Sequence, residues 1–256
     1  MRIAIVQPVT VWEDKKANFS NIEKMVLEYA TPADLVVLPE MFSTGFSLNA
    51  ASLAEDEKGE TFQWMKKTAS NGNFSLCGSF ITKRDKSFYN QFTLITPGGD
   101  FQSYNKRHLF SLAGETRIFT PGKERKIILL NGIRFLALVC YDLRFPVWSR
   151  SRNDYDAIIC IASWPDVRRE AWQSLLKARA IENQCYVIGV NQTGTDNDGF
   201  KYSGDSVILN PAGKILAKVN DYEEGITSVE ISIEELIQFR GRYPFWKDAD
   251  DFSINV

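Results

Sequence analysis

The sequence predicts an α/β fold in which two sheets pack together with helices outside. Three observations carry that reading. Residues 2–6, 15–30 and 34–38 read as strand, helix and strand, a succession that favours parallel pairing. The alternation returns in the second half, where apolar runs at 157–162 and 186–191 flank a helix expected over 170–183. Several strand runs are apolar with little alternation, as strands covered on both faces are.

Each element has its own reason. Ile3-Ala4-Ile5-Val6 is a buried strand. Residues 15–30 place Phe19, Ile22, Met25, Val26 and Tyr29 at helical spacing, with Lys and Glu on the other face. Asp34 to Leu38 is a second apolar strand, stopped by Pro39. Residues 60–69 read as a helix offering Phe62, Trp64 and Met65, and residues 74–81 as a strand. Residues 89–96 and 101–104 form a hairpin around Pro97-Gly98-Gly99-Asp100, and 126–130 with 133–140 a second around Asn131-Gly132. A short helix is expected over 147–152, then the strand, helix and strand already named. Strands at 206–210, 215–219 and 226–231 follow, with a Pro211-Ala212-Gly213 turn between the first two. Ser232 begins a short helix with Glu235 three residues on, as in a capping box. The tail from about 240 to 256 has no clear period but carries Tyr243, Phe245 and Trp246, which suggests docking on the domain or on a second subunit.

No Pro-, Gly- or Ser-rich linker divides the chain. The two strand-and-helix halves, roughly 1–125 and 126–256, show no sequence repeat, so residues 1–256 are read as one domain. Hydrophobic residues at 44% and charged residues at 24% fit an ordinary globular chain. A formal net charge of −2 leaves no electrostatic footprint for nucleic acid or an anionic membrane. No apolar run approaches the ~20 residues of a membrane span, and no signal-peptide pattern precedes the first strand, so a cytoplasmic protein is expected. The four cysteines form no CxxC pair, and a single histidine, His108, excludes multi-histidine metal sites.

Three stretches share one design, a strand end followed by a polar residue. Val139-Cys140-Tyr141-Asp142-Leu143-Arg144-Phe145-Pro146 puts a cysteine where a buried strand meets a polar turn, a good place for a nucleophile. Leu38-Pro39-Glu40 puts a carboxylate at a comparable point, partly desolvated and suited to act as a base. Tyr104-Asn105-Lys106-Arg107-His108 offers a cation able to stabilise an oxyanion. Glu115 lies in a Gly-containing loop. Taken singly, each has a structural reading: a core cysteine, a solvated loop glutamate, a surface basic run. A Cys140–His108 dyad is a competing arrangement.

Together, Leu-Pro-Glu40, Tyr-Asn-Lys106-Arg-His and Val-Cys140-Tyr-Asp-Leu-Arg-Phe-Pro resemble the Glu–Lys–Cys triad of the nitrilase, or carbon–nitrogen hydrolase, superfamily. The likeness runs from Arg2 to about Phe252 and includes Phe119-Thr-Pro-Gly122 and Ala178-Arg-Ala-Ile-Glu-Asn183. Ser163-Trp164-Pro165, Tyr202-Ser-Gly-Asp-Ser206 and the tail from Phe245 are similar to the ω-amidase branch, though Ser163 stands where an asparagine is expected. The resemblance implies a four-layer α-β-β-α sandwich. It also implies hydrolysis of the terminal amide of small 2-oxo acid ω-amides such as 2-oxoglutaramate and 2-oxosuccinamate, through a Cys140 thioester. Glu40 would be the base, Lys106 and the Tyr141 N–H the oxyanion donors, and Glu115 a supporting carboxylate. No metal or organic cofactor is implied, and the expected partners are the small-molecule amide and a second copy of the chain. Arg144 is the candidate anchor for the substrate carboxylate, with a structural ion pair as its alternative, and Phe110, Trp164 and Tyr202 are candidate walls. His108 is expected to pack or hydrogen-bond near Lys106. The alternatives are the same triad acting on another amide or a carbamoyl compound, and a non-catalytic interaction protein retaining the fold.

Overall fold

A computed structural model describes residues 1–29 and 32–254 of the chain. The elements, in order, are β1 (Arg2–Gln7), α1 (Lys15–Glu28), β2 (Leu35–Val37), α2 (Ala50–Leu53), α3 (Glu60–Gly72), β3 (Ser75–Arg84), β4 (Ser87–Ile95) and β5 (Phe101–Asn105). There follow β6 (Ile127–Leu130), β7 (Ile133–Val139), α4 (Pro146–Ser149), β8 (Ala157–Ala162), α5 (Arg169–Asn183) and β9 (Tyr186–Asn191). The chain continues through β10 (Thr193–Thr195), β11 (Lys201–Ser203), β12 (Val207–Leu209), β13 (Ile215–Lys218), β14 (Gly225–Glu230) and α6 (Ile233–Arg242).

Two six-stranded sheets run β14-β1-β2-β3-β4-β5 and β13-β12-β9-β8-β7-β6. The expected parallel pairing holds in both, Ile3 opposite Leu35 in the first and Ala157 opposite Tyr186 in the second. The reason the strands lack alternation is visible in β1. Ile3 and Ile5 pack into the interface with the second sheet, whereas Ala4 and Val6 pack beneath Phe19, Ile22, Trp64 and Met65 of α1 and α3. Both faces are covered, so both must be apolar. On the far side, Trp172, Leu176 and Ala180 of α5 cover the second sheet. The layers are therefore α-β-β-α.

The structure redraws several expectations. The sequence halves do not coincide with the sheets, because β14 returns from the second half to pair antiparallel with β1. The first helix ends at Glu28, and residue 30 of the expected span lies outside the described residues, as do 255 and 256 of the tail. The helix expected over 147–152 is one turn starting at Pro146, since the backbone at Arg150 is already extended. Two short elements escaped the sequence reading, α2 and the β10–β11 ribbon. Their three- and four-residue lengths carry too little periodicity to detect. Only half of the expected capping box forms: Ser232 Oγ accepts from Glu235 N but donates to Glu234, and Ser232 N donates instead to the Tyr186 hydroxyl. The tail lies against its own chain, with Gln184 Nε2 donating to Tyr243 O at 2.6 Å and the Arg152 guanidinium 4.6 Å from the Phe252 ring.

Candidate active site

The site forms where strands of both sheets end. β2 ends at Val37, Leu38 and Pro39 follow, and Met41 adopts a left-handed backbone with φ 46°. Its N–H is held by Ser79 Oγ at 3.0 Å, and Glu40 beside it is fully buried. β5 delivers Lys106, whose backbone is fixed from both sides: its N–H donates to Asn90 O and its carbonyl accepts from Gly122 N, each at 2.9 Å. A side chain at Gly122 would sit 2.0 Å from Asn105 O, which explains the glycine in Phe119-Thr-Pro-Gly122. Glu115 follows Gly114, whose φ is 82°, in a tight turn, and its Oε2 accepts from Phe110 N at 2.6 Å.

These elements bring three buried charges together. Lys106 Nζ donates to Glu40 Oε1 at 2.9 Å and to Glu115 Oε1 and Oε2 at 3.0 and 2.9 Å. Burial pulls the ammonium toward deprotonation, but Glu115, Glu40 and Cys140 outweigh it and hold Lys106 well above its ordinary value. Burial pushes the Glu115 carboxyl up; Lys106 opposes this and Glu40 adds to it. Two further donors reach Glu40: Asn90 Nδ2 at 2.7 Å on Oε1 and the Ser163 N–H at 2.8 Å on Oε2. Ser163 Oγ also donates to Glu40 O at 3.1 Å. The residue at this unexpected position thus ties the second sheet to the turn that carries Glu40.

Cys140 begins a single 3-10 turn, Cys140–Arg144, directly after β7, and its φ of 49° points the chain sharply away from the strand. It is half-buried, and its thiol touches Ser163 O at 4.0 Å. Burial and the Glu40 carboxylate push the Cys140 thiol well above its ordinary value, with Lys106 pulling the other way. Tyr141 is the second residue of this turn, where N–H groups have no partner within the helix. Asp142 props the turn from beneath, accepting from Val139 N, Tyr104 OH, and His108 N. Arg179, in the Ala178-Arg-Ala run of α5, donates to Leu143 O at 2.5 Å.

A cavity of about 490 Å³ opens over Cys140 and Lys106. Phe110, Tyr141, Arg144, Trp164 and Tyr202 all line it. Arg144 forms no ion pair among the described residues; its guanidinium lies 4.7 Å from the Trp164 ring centroid. The Tyr202 hydroxyl donates to Asp196 Oδ2 at 2.7 Å. His108 turns to Asp142, with Nδ1 2.7 Å from Oδ1, and stacks on Phe145 at 3.8 Å. Glu40 and Glu115 lie behind the cavity wall. Sequence reasoning missed Asn90, although asparagine is depleted in strands and one there is itself a signal. It also missed Asn191, whose side chain brackets the Trp164 backbone with bonds of 2.8 and 3.0 Å.

Comparison with known proteins shows the family. The carbon-nitrogen hydrolase family profile matches residues 2–241. The chain is 43% identical to the ω-amidase YafV of Escherichia coli (strain K12), over 99% of this chain and 98% of that protein. It is 36% identical to the 2-oxoglutaramate amidase of Bacillus subtilis (strain 168), over 90% of each. The crystal structure of XC1258 from Xanthomonas campestris, a CN-hydrolase superfamily protein with an arsenic adduct in its active site, superposes with a TM-score of 0.96 at 36% identity, covering 100% of this chain and 99% of that one. The chain belongs to the carbon-nitrogen hydrolase family of the nitrilase superfamily and is an amide-hydrolysing enzyme.

Proposed function

We propose that the chain hydrolyses the terminal amide of small 2-oxo acid ω-amides through a thioester on Cys140. The observation that supports this most is the meeting of Cys140 with the Glu40–Lys106–Glu115 cluster at one cavity. In the resting site the proton stays on sulfur, because burial and Glu40 raise the thiol. As Sγ attacks the amide carbon, Glu40 takes that proton, so a thiolate forms only as the carbon–sulfur bond does. The tetrahedral oxyanion is stabilised by the Tyr141 N–H and the Lys106 charge. A single such donor is worth about 3 kcal/mol. Two carboxylates keep Lys106 charged throughout, so it serves as a fixed cation and not as a proton carrier. Collapse breaks the carbon–nitrogen bond, and ammonia leaves with the proton from Glu40. Glu40 then takes a proton from water as its oxygen attacks the thioester; collapse breaks the carbon–sulfur bond, Glu40 returns the proton to sulfur, and the acid product ionises as it leaves the restored Cys140 thiol.

Glu115 acts by holding Lys106 in place. Phe110, Trp164 and Tyr202 form the walls, and Arg144 anchors the distal carboxylate. The names of the relatives, ω-amidase and 2-oxoglutaramate amidase, support the substrate class. Residues 1–256 work as one domain. Among the described residues no helix is long and apolar enough to cross a membrane. The buried, unpaired Cys77, Cys160 and Cys185 favour the reducing cytoplasm. Exposed Ile237, Phe245 and Trp246 favour a homodimer or larger assembly, for which light scattering at micromolar concentration is the check.

The test is ammonia release from 2-oxoglutaramate and 2-oxosuccinamate against glutamine, asparagine and carbamoyl amino acids, with Cys140→Ala as control. The 2-oxo acid amides are expected to be turned over fastest. Absence of turnover on both would overturn the substrate class while leaving the family intact.

A further inference from the structure

A second guanidinium lines the same cavity, and the chemistry above does not use it. We propose that Arg168 is a specificity residue that joins Arg144 in gripping the 2-oxo acid end of the substrate, so that the site selects amides whose far end is a carboxylate beside a carbonyl. This rests on the ω-amide reading above and deepens it.

Arg144 and Arg168 are both half-buried and both line the cavity. Each guanidinium lies over an aromatic ring, Arg144 at 4.7 Å from the Trp164 centroid and Arg168 at 5.2 Å from the Phe110 centroid. A ring contact uses no N–H donor, and among the described residues neither guanidinium donates a hydrogen bond, so both sets of donors stay free for a planar acceptor. Among the described residues neither group bonds a carboxylate, whereas Arg125, Arg134, Arg169, Arg179 and Arg240 are all paired with acids. Of the two acids that line the cavity, Asp196 is committed to the Tyr202 hydroxyl and to the N–H groups of Asp198 and Phe200, and Asp198 is exposed and forms no ion pair among the described residues. Two unpaired cations in one partly desolvated cavity favour an anion there.

The backbone beneath Arg168 is fixed. Trp164 Nε1 donates to Arg168 O at 2.8 Å, closing the short Asp166–Arg168 turn. Trp164 is itself bracketed by Asn191, and Ser163 next to it donates to Glu40. One segment, residues 163–168, therefore runs from the catalytic base to the second guanidinium. That connection sets the distance between the scissile amide and the anchored end. A carboxylate with a neighbouring 2-oxo group presents coplanar acceptors that two forks fill better than one. A 2-ammonium group in place of the oxo group would face positive charge, so the paired arginines also disfavour ω-amides of amino acids.

The test uses Arg168→Gln and Arg168→Lys in the full chain, with KM and kcat for 2-oxoglutaramate measured beside the rate at which neutral iodoacetamide alkylates Cys140. Arg168→Gln is expected to raise KM about tenfold or more, as loss of a charge-assisted contact does, and to leave kcat within about threefold. Inhibition by 2-oxoglutarate should weaken by a similar factor, and the iodoacetamide rate should stay within about twofold, since it senses the thiol and not the cation. Arg168→Lys should recover only part of the loss, because a point charge replaces the fork. An Arg168→Gln KM within about twofold of wild type, or a joint fall of kcat and alkylation rate, overturns the proposal. Wild-type protein inactive on 2-oxoglutaramate overturns the substrate reading and this proposal together, whereas active wild type with an unmoved Arg168→Gln overturns this proposal alone.

Discussion

The ends of β2 and β7 are built alike and used differently. Both strands are fully apolar in their last residues and run parallel to a neighbour. Each gives way to a non-glycine residue in the left-handed region, Met41 with φ 46° and Cys140 with φ 49°. That conformation costs about 1–2 kcal/mol per residue, and surrounding structure must hold it. At β2 the functional side chain is completely enclosed, and Glu40 accepts from Lys106, Asn90 and the Ser163 N–H at once. At β7 the side chain is half-exposed, and its hydrogen-bond contact is a 4.0 Å approach to Ser163 O. In the proposed mechanism the base is thus oriented and compensated before substrate arrives, whereas the nucleophile is left free to bond to carbon. Preorganisation is concentrated on the group that moves a proton, not on the one that forms the covalent bond.

Removing either end should have the largest effect. Glu40→Gln and Cys140→Ala are each expected to lower kcat by about ten-thousandfold or more, read as ammonia release. Iodoacetamide separates the two, because Glu40→Gln retains the alkylable thiol. Glu40→Asp sharpens the contrast. A carboxylate withdrawn by one methylene cannot keep all three donors, and about a hundredfold loss in kcat is expected. Full activity in Glu40→Asp would show that the tight positioning of the base is dispensable.

Lys106→Met tests the same asymmetry through stability. It leaves Glu40 and Glu115 buried without their cation, and breaking a buried pair costs about 3–5 kcal/mol. Its thermal unfolding midpoint should fall well below that of Cys140→Ala, which removes only a thiol facing the cavity. Equal midpoints would mean that the two carboxylates relieve each other by protonation, the direction in which Glu115 is already pushed.

The contrast also marks what was legible in the sequence. The strand ends were, because an apolar run stopping at Pro39-Glu40 or at Cys140-Tyr141 needs no tertiary information. Runs such as Ile3-Ala4-Ile5-Val6 that lack a polar face marked strands covered on both sides, whereas the four-layer order came from the family resemblance. Glu40, Lys106, Cys140 and Glu115 came together only through the family resemblance, since they lie on different turns and nothing local links them. Asn90 and Asn191 went unseen because their partners, Glu40 and the Trp164 backbone, are distant in sequence. Arg144 was visible as a cation near the nucleophile, but not its ring contact with Trp164, which takes the place of an ion pair. The crossing of β14 into the first sheet was hidden for the same reason: pairing over more than two hundred residues leaves no local pattern.

A pH profile probes the free end directly. Because burial and Glu40 raise the thiol, the thiolate fraction near neutral pH is smaller than that of a free cysteine. Below the thiol pKa the alkylation rate of Cys140 should rise about tenfold per pH unit. It should remain slower than that of a small thiol at pH near 7 and show no plateau in that range. A plateau at acidic pH would mean a preformed thiolate, and the proton would then have left sulfur before substrate binding.

His108 gives the smallest effect and the cleanest challenge to the comparison. It lies three residues from the strand that delivers Lys106, close enough in sequence to suggest a thiol–imidazole pair. The ring nitrogen Nδ1 instead meets Asp142 at 2.7 Å, and the ring stacks on Phe145. Asp142 in turn accepts from Val139 N, immediately before Cys140. In the proposed mechanism the histidine therefore buttresses the turn and leaves the thiol proton to Glu40. His108→Gln is expected to destabilise the protein by about 1 kcal/mol and to keep kcat within about threefold of wild type. A loss as deep as that of Cys140→Ala would move the base from the first sheet's strand end to the loop after β5. The enclosed carboxylate at β2 would then be a structural group, with its three donors serving only to keep a buried charge compensated.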